Sequence, residues 1–308
     1  MRNWYPYKLL RDDQQLLCRW LNAGDKRFSE PFFDDTITKI KGLTNYRIHS
    51  VSNIELLADW AEALKSIAPS VFIFHVSRCG STLVAQLFDT DPANIVLAEV
   101  PFLDDILRMP YREQQTQTSC EALFKAAVQF YGQQRTGQEK QLIIKTDSWH
   151  ICFYQTIRKL YPQVPFVLLY RHPAEVMRSH QTKRGMQAVP GIVEPEVFGF
   201  KKEPVTDLDG YLARVLERYF ELFKETASND ELSLLVNYNE GMLNIVEKIA
   251  AFSGIDIPAE VRDKMKVRAG YNAKYPDEVF NEDKSSEATP AYLSRCMQLY
   301  AELEAARG

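Results

Sequence analysis

The segment Ser77–Thr82, with the sequence SRCGST, combines residue types that bind a phosphate group. It follows the apolar run VFIFHV and precedes a stretch with the apolar spacing of a helix. A glycine-bearing turn that opens a helix exposes unpaired backbone N–H groups and the positive end of the helix dipole. Arg78 adds a guanidinium, Gly80 permits a close backbone approach, and two hydroxyl residues follow. The segment therefore predicts a phosphate site, with simple helix capping by Ser81 and Thr82 as the alternative.

A second group of phosphate-binding residues lies in YRHPAEVMRSH, residues 170–180. Arg171 ends a strand-like apolar run, Pro173 suits the first turn of a helix, and Ser179 lies on that predicted helix. An arginine at a strand end and a serine on the next helix can hold a second phosphate. Two phosphate sites on separate loops match a nucleotide phosphorylated at two positions better than a linear triphosphate.

Other chemically active residues also fall where predicted strands end. Glu99, Lys145 and Tyr238 follow three further apolar runs. In an open α/β sheet the ligand binds outside the carboxyl ends of the strands. Charged residues also mark where a strand reaches the surface, which is the alternative for any one of these positions. Together they predict a site for a multiply charged anion that carries a ring.

The elements that must position these residues alternate between strand and helix. Strand-like runs end in or just before each of the candidate residues, and segments with helical spacing lie between them. Strands that are apolar throughout indicate a parallel sheet covered on both faces. The stretch 182–210, with four glycines and three prolines, has no clear period. We expect it to act as a mobile lid over an acceptor, with a connector of no function as the alternative.

Residues 1–69 form an N-terminal extension ahead of this α/β domain, which we assign to residues 70–308. Residues 16–22 and 52–68 carry helix-spaced apolar positions, and Ser52 and Asn53 are candidate caps. The extension is therefore predicted to be helical and packed on the main domain.

Composition excludes several classes of protein. The chain has 308 residues, of which 45% are hydrophobic and 25% charged, and its net charge is -4. These values fit a globular enzyme and exclude disorder and binding to nucleic acid or an anionic membrane through bulk charge. Strand-sized apolar runs, five scattered cysteines without a CxxC pair and five histidines without metal-binding spacing predict a soluble, cytoplasmic protein that needs no metal.

The two phosphate motifs, in this order, resemble those of the sulfotransferase family that uses 3'-phosphoadenosine 5'-phosphosulfate (PAPS), in its bacterial-type branch. Residues 143–180 are similar to the family's central stretch, and 236–255 to a later segment, so the resemblance spans about residues 70–270. It implies a P-loop-like three-layer sandwich with a mainly parallel sheet of about five strands flanked by helices. The implied nucleotide-binding residues are Arg78, Cys79, Gly80, Ser81 and Thr82 at the 5'-phosphosulfate, Arg171, Ser179 and Arg268 at the 3'-phosphate, and Tyr238 near the adenine.

The resemblance also implies the catalytic residues. Arg78 and Lys145 would stabilise the leaving phosphate and the transferred sulfuryl group, and a carboxylate would take the acceptor's proton. Glu99 matches the catalytic glutamate of bacterial members, and its apolar followers favour a raised pKa. Asp147 stands where the cytosolic branch has a histidine, but pairing with Lys145 would depress its pKa. His150 is a third candidate, one residue too far along.

Two other functions stay open at this stage. One is an ATP-dependent small-molecule kinase, although the Walker A spacing GxxxxGK[ST] is absent. The other is a catalytically silent module that binds PAPS or its product PAP. The acceptor, whether small molecule, glycan or peptide, and the oligomeric state are not encoded in any motif.

Overall fold

The computed structural model describes residues 1–12, 15–43, 50–112, 117–271 and 290–307. Two sheets organise this part of the chain, and their strands are β1 Trp4–Asp12, β2 Gln15–Asn22, β3 Ser50–Asn53, β4 Val71–His75, β5 Asn94–Ala98, β6 Gln141–Lys145, β7 Phe166–Tyr170 and β8 Ser233–Asn237. The larger sheet has the order β5-β6-β4-β7-β8, and every pairing in it is parallel. Strands β4 and β7 are buried along their whole length, as expected where helices cover both faces.

The helices that surround the sheets are α1 Phe33–Leu43, α2 Leu56–Glu62, α3 Ser81–Asp89, α4 Pro101–Arg112, α5 Gln117–Tyr131, α6 Tyr154–Leu160, α7 Pro173–Thr182, α8 Leu208–Asn229, α9 Met242–Phe252, α10 Ala259–Ala269 and α11 Ser294–Arg307. Short 3-10 helices occur at Ser148–Phe153, Met186–Ala188, Pro195–Phe198, Tyr238–Glu240 and Ala291–Leu293. The predicted P-loop-like α/β architecture with its parallel sheet is confirmed. Helices α1, α4, α10 and α11 were not predicted.

In the N-terminal extension, the prediction of a helical segment at residues 16–22 is wrong. This stretch is strand β2, which pairs antiparallel with β1 and with β3. Cys18 and Trp20 are buried on either side of the half-buried Arg19, which is the period of a strand, and Leu21 is buried as well. Seven residues fit both a helical and a strand pattern, and pairing with two neighbours decides between them.

The predicted helix at 52–68 is also shorter than expected. It is helix α2 alone, because Ser52 and Asn53 belong to strand β3. The side chain of Asn53 still acts near the helix start, where its Oδ1 accepts a hydrogen bond from the Glu55 N–H at 3.0 Å.

Polar contacts attach the extension to the main sheet and its helices. The Tyr131 hydroxyl donates to the Pro6 carbonyl, and the Gln133 side-chain amide donates to the Trp4 carbonyl at 2.9 Å. Arg27 pairs with Asp89 at the end of α3 at 2.8 Å. A division of the chain at residue 69 remains a prediction. Among the helices described, none is both long and apolar enough to cross a membrane.

Candidate active site

A cavity of about 770 Å³ opens at the carboxyl edge of the larger sheet. This volume lies within the range of small-molecule sites, roughly 300–1,000 Å³. Most of the residues selected from the sequence line it, namely Arg78, Gly80, Ser81, Thr82, Glu99, Asp147, Arg171, Ser179 and Tyr238. The parallel strands bring them together because each follows the carboxyl end of a strand.

The loop after β4 has a backbone conformation that only a few residue types adopt readily. Ser77, Arg78 and Gly80 have φ values of 68°, 51° and 79°. Strained non-glycine residues of this kind are concentrated at functional sites. A Cβ at Gly80 would lie 2.9 Å from Met242 Cε and 3.0 Å from the Tyr238 ring, so the position has no room for a side chain. Ser81 and Thr82, the first residues of α3, line the cavity, and the start of a helix has N–H groups that can bind an anion.

Arg171 is fixed from three sides at the end of β7. Its Nε donates to Glu175 at 2.7 Å, and its guanidinium donates to the Arg78 carbonyl at 3.2 Å. The same guanidinium lies 4.1 Å from the centre of the Tyr238 ring, which is a cation–π geometry. These contacts join the loops that follow β4, β7 and β8 into one unit. Arg78 itself donates to the Lys183 carbonyl.

Glu99 and Lys145 form an ion pair where β5 and β6 end at the sheet edge. The Lys145 side chain is fully buried, while that of Glu99 is 23% exposed. Glu99 has a φ of 54°, which turns the chain sharply at the end of β5. The backbone is therefore strained at the residue that brings a carboxylate to Lys145.

His75 supports the same carboxylate. Its Nδ1 accepts the Ser77 N–H at 3.1 Å, so the proton lies on Nε2, which faces the Thr146 carbonyl at 2.9 Å and Glu99 at 3.5 Å. Burial, together with Lys145, holds the pKa of His75 below its usual value. The sequence suggested a simple core residue, yet His75 also lines the cavity.

The pKa directions of the two candidate bases are the reverse of those argued from the sequence. Burial alone would raise the pKa of Glu99, but Lys145 and His75 outweigh it, and the pKa lies well below its usual range. Burial and the negative charges of Glu99 and Asp104 raise the pKa of Asp147 well above its usual range. The physical reason is that Lys145 pairs with Glu99 rather than with Asp147.

A buried polar network lies beside Asp147. Asp104 accepts hydrogen bonds from Trp149 Nε1 at 2.5 Å and from Arg108 at 2.8 Å, and it lies 3.1 Å from His150 Nε2. Ligand atoms of Asp104, Asp147 and His150 lie within 4.8 Å of one another, close enough to share a cation. Since Arg108 already pairs with Asp104, we assign no metal ion to this group. Asp104 is a residue that the sequence reasoning missed; it lies five residues after Glu99, in the first turn of α4.

Part of the segment 182–210, around residues 192–198, packs against α4, and the action of the segment as a mobile lid remains a prediction. Arg108 donates to Glu194 at 2.6 Å and to the Ile192 carbonyl at 2.6 Å, and Arg112 also pairs with Glu194. Val193, Val197 and Phe198 are buried. The start of the segment lines the cavity through Lys183, Gly185, Met186 and Gln187.

Four selected residues do not reach the cavity wall, and one of them, His150, belongs to the network around Asp104. Cys79 is buried and its thiol donates to the Leu169 carbonyl at 3.5 Å, while burial raises its pKa to about 11. Lys145 lies behind Glu99. Arg268 donates to Gln86 and, at 3.2 Å, to the Tyr271 carbonyl, although its neighbour Ala269 lines the cavity. A role for Arg268 at a phosphate is therefore the least supported of the predicted assignments.

Comparisons with known proteins bear on this arrangement. Residues 69–189 match the family model described as the sulfotransferase family. The sulfotransferase domain from the curacin biosynthetic pathway is similar in structure, with a TM-score of 0.51 and 14% identity over 78% of this chain and 99% of that domain. Sulfotransferase STF9 from Mycobacterium avium is similar with a TM-score of 0.50 and 14% identity, over 80% of this chain and 77% of that one. No curated protein matches significantly.

The matched family segment contains both phosphate motifs, Lys145, Glu99 and Asp147. The two structural similarities show a shared fold. The resemblance to the sulfotransferase family is thereby confirmed.

Proposed function

We propose that the protein transfers the sulfuryl group of PAPS to a hydroxyl or amine acceptor. One observation carries the proposal: two separate phosphate-binding groups and a lysine–carboxylate pair line or adjoin one cavity at the sheet edge. An ATP site would need groups for a linear triphosphate and its magnesium. Here the second set of residues proposed to bind phosphate, Arg171 and Ser179, follows β7, whereas the first set follows β4.

The residues present fit such a nucleotide. The turn at Gly80 and the first turn of α3 would bind the 5'-phosphosulfate, with Arg78 as a charged donor. Arg171 and Ser179 would bind the 3'-phosphate, and the Tyr238 ring lies against Arg171 at the same end.

The reaction is an in-line displacement at sulfur. The acceptor oxygen or nitrogen forms a bond to sulfur, the bond from sulfur to the phosphate oxygen breaks, and that oxygen leaves with the electron pair as part of PAP. The acceptor's proton passes to a carboxylate. Positioning and positive charge stabilise this transition state. Arg78 lines the cavity and would supply part of that charge, and Lys145, which lies behind Glu99, would supply the rest by turning toward the leaving oxygen.

We propose Glu99 as the group that accepts the proton. It is ionised at neutral pH, is partly exposed and lines the cavity. Burial and the negative charges of Glu99 and Asp104 raise the pKa of Asp147, which disfavours the ionised form in which a carboxyl group acts as a general base. The low pKa of Glu99 reflects Lys145; as Lys145 turns its charge to the leaving oxygen, Glu99 becomes more basic.

Binding and turnover test the proposal together. PAP should stabilise the protein against heat and ATP should not, and transfer of ³⁵S from PAPS to a panel of alcohols, phenols and amines should be detectable. Stabilisation by ATP with magnesium and not by PAP would indicate a kinase. Binding of PAP without transfer to any acceptor, and without hydrolysis of PAPS, would indicate a silent binding module.

A further inference from the structure

The cavity has a positive half and a negative half, and the strand order separates them. Arg78 and Arg171 follow β4 and β7, on the side of the sheet that ends in β8. Glu99 follows β5, and Asp147 follows β6, on the opposite side. The pair between Lys145 and Glu99 lies on this second side. A donor with several negative charges therefore fits one half, and the other half is left for the acceptor.

The N-terminal extension completes the negative half. Asp34 and Asp35, in the first turn of α1, line the cavity together with Phe32. Both aspartates are exposed and form no ion pair with the residues that the structure describes. Lys41 and Lys8 act on Asp34 electrostatically without forming an ion pair with it, and Asp34 and Asp35 add negative charge to this part of the cavity lining.

Asp147 is the deep member of this half, and it has no hydrogen-bond donor of its own. Its side chain is 6% exposed, and no donor in the described part of the chain bonds to its carboxyl oxygens. The nearest polar hydrogen is on His150 Nε2 at 3.5 Å, but that atom lies closer to Asp104, at 3.1 Å. Asp104 has Arg108 as its partner, and Glu99 has Lys145. A buried carboxyl that lines a cavity without a partner points to a ligand group that supplies one.

An aromatic wall lies at the same end. Trp149 is buried and lines the cavity beside Asp147, and Phe32 lines it next to the two exposed aspartates. The Phe32 ring already lies 5.3 Å from the Lys145 ammonium. Aromatic faces and carboxylates together favour a desolvated organic cation over a neutral or negatively charged group.

We infer that the acceptor carries a protonated amine in addition to its nucleophile, and that Asp147, with Asp34 and Asp35 at the entrance, binds this amine. The inference rests on the proposed function for the identity of the reaction, and it assigns the extension a part in acceptor choice. The charged group lies in the negative half, while the nucleophile faces Glu99.

Two sets of acceptors test the inference, and each set contains a cation, a neutral compound and an anion of similar skeleton. Tyramine, 4-ethylphenol and 4-hydroxyphenylacetate form one set, and 5-aminopentan-1-ol, hexan-1-ol and 6-hydroxyhexanoate form another. With saturating PAPS, we expect kcat/KM to be at least about 10-fold higher for the cation than for the neutral compound, and lowest for the anion. The double variant Asp34→Asn/Asp35→Asn should reduce the ratio of cation to neutral by about 3- to 10-fold. Asp263→Asn on α10, outside the cavity lining, is the matched control and should leave the ratio unchanged.

Asp147→Asn should abolish the preference for the cation. If Asp147→Asn folds poorly, the double variant Asp34→Asn/Asp35→Asn, which changes only exposed residues, still tests the inference. Equal kcat/KM for cation and neutral compound, or a preference for the anion, would overturn the inference while leaving sulfuryl transfer intact. Where none of the six compounds is turned over, the same ratios are taken from their dissociation constants for the PAP complex, measured by calorimetry. Failure of the protein to bind PAP would refute the proposed function. The dissociation constants of the six compounds for the protein without PAP would then decide whether it prefers cations.

Discussion

Removal of one partner from the Lys145–Glu99 pair should be costly, whereas removal of both should not. The Lys145 side chain has no exposed surface, so Glu99→Gln leaves a buried ammonium with no counter-charge. Breaking a buried pair in this way costs about 3–5 kcal/mol, and the 23% exposure of Glu99 favours the lower end, about 3 kcal/mol. Against a total stability of about 5–15 kcal/mol, this is a large fraction.

The double variant Glu99→Gln/Lys145→Met has no unpaired charge. We expect it to lose about 1 kcal/mol, so that the cost of the two single variants together exceeds that of the double by at least about 3 kcal/mol. Urea unfolding followed by circular dichroism measures all three. Glu121→Gln, which breaks the exposed pair with Lys159, is the control and should cost no more than about 1 kcal/mol.

The pH dependence of this pair has a definite sign. Because the pKa of Glu99 is lowered from its ordinary 4.5, its contribution to stability is complete above about pH 4.5 and is lost as the pH falls below that value. The difference between wild type and Glu99→Gln should therefore shrink in acid. The reasoning would be refuted if each single variant lost less than about 1 kcal/mol of unfolding free energy and the double variant lost the sum of the two. That result would mean that Lys145 is not a buried charge held by Glu99.

Three further predictions concern the cavity. Gly80→Ala should weaken PAP binding at least about 10-fold, because its Cβ would meet Tyr238 and Met242, whereas Gly199→Ala, with a similar φ of 76° and open space, should carry only the backbone strain; equal PAP affinities of the two variants by calorimetry would contradict this. Arg171→Ala should weaken PAP by about 2 kcal/mol or more and adenosine 5'-phosphosulfate, which has no 3'-phosphate, far less, and equal losses would remove Arg171 from the 3'-phosphate. Because the pKa of Asp147 is raised from 3.8, this carboxyl lowers stability as the pH rises above that value, so Asp147→Asn should gain stability relative to wild type between pH 4 and pH 8, and a constant difference in urea unfolding would contradict it.

The sheet could be predicted from the sequence because its strands are apolar on both faces. VFIFH and FVLLY are too short for a buried helix and are bounded by polar turns, which leaves a buried strand as the consistent assignment. Strand β2 could not be predicted in the same way, because its identity comes from pairing with β1 and β3. Helix α4 was hidden by Pro101 and Pro110, although the first of these lies at a helix start, where proline is favoured.

The residues of the candidate site could be predicted because parallel topology places strand ends side by side. Their ionisation could not, because it depends on which carboxylate faces Lys145, and the sharp turn at Glu99 decides that. The aspartates of α1 lie more than sixty residues before Glu99 in the chain, and no sequence spacing connects them to the cavity. His75 could have been found, since it is the last residue of β4 and so lies at the same edge.

The position of β4 and β7 on one side of the sheet, and of β5 and β6 on the other, bears on how this protein can diverge. Substitutions after β5, after β6 or in α1 change one wall of the cavity without touching the loops that Arg171 ties together. Mutations in separate contact networks act nearly additively. Under the proposed function, the acceptor could therefore change through single substitutions that leave the nucleotide-binding residues untouched. Chimaeras that exchange the first 69 residues between relatives would keep those residues.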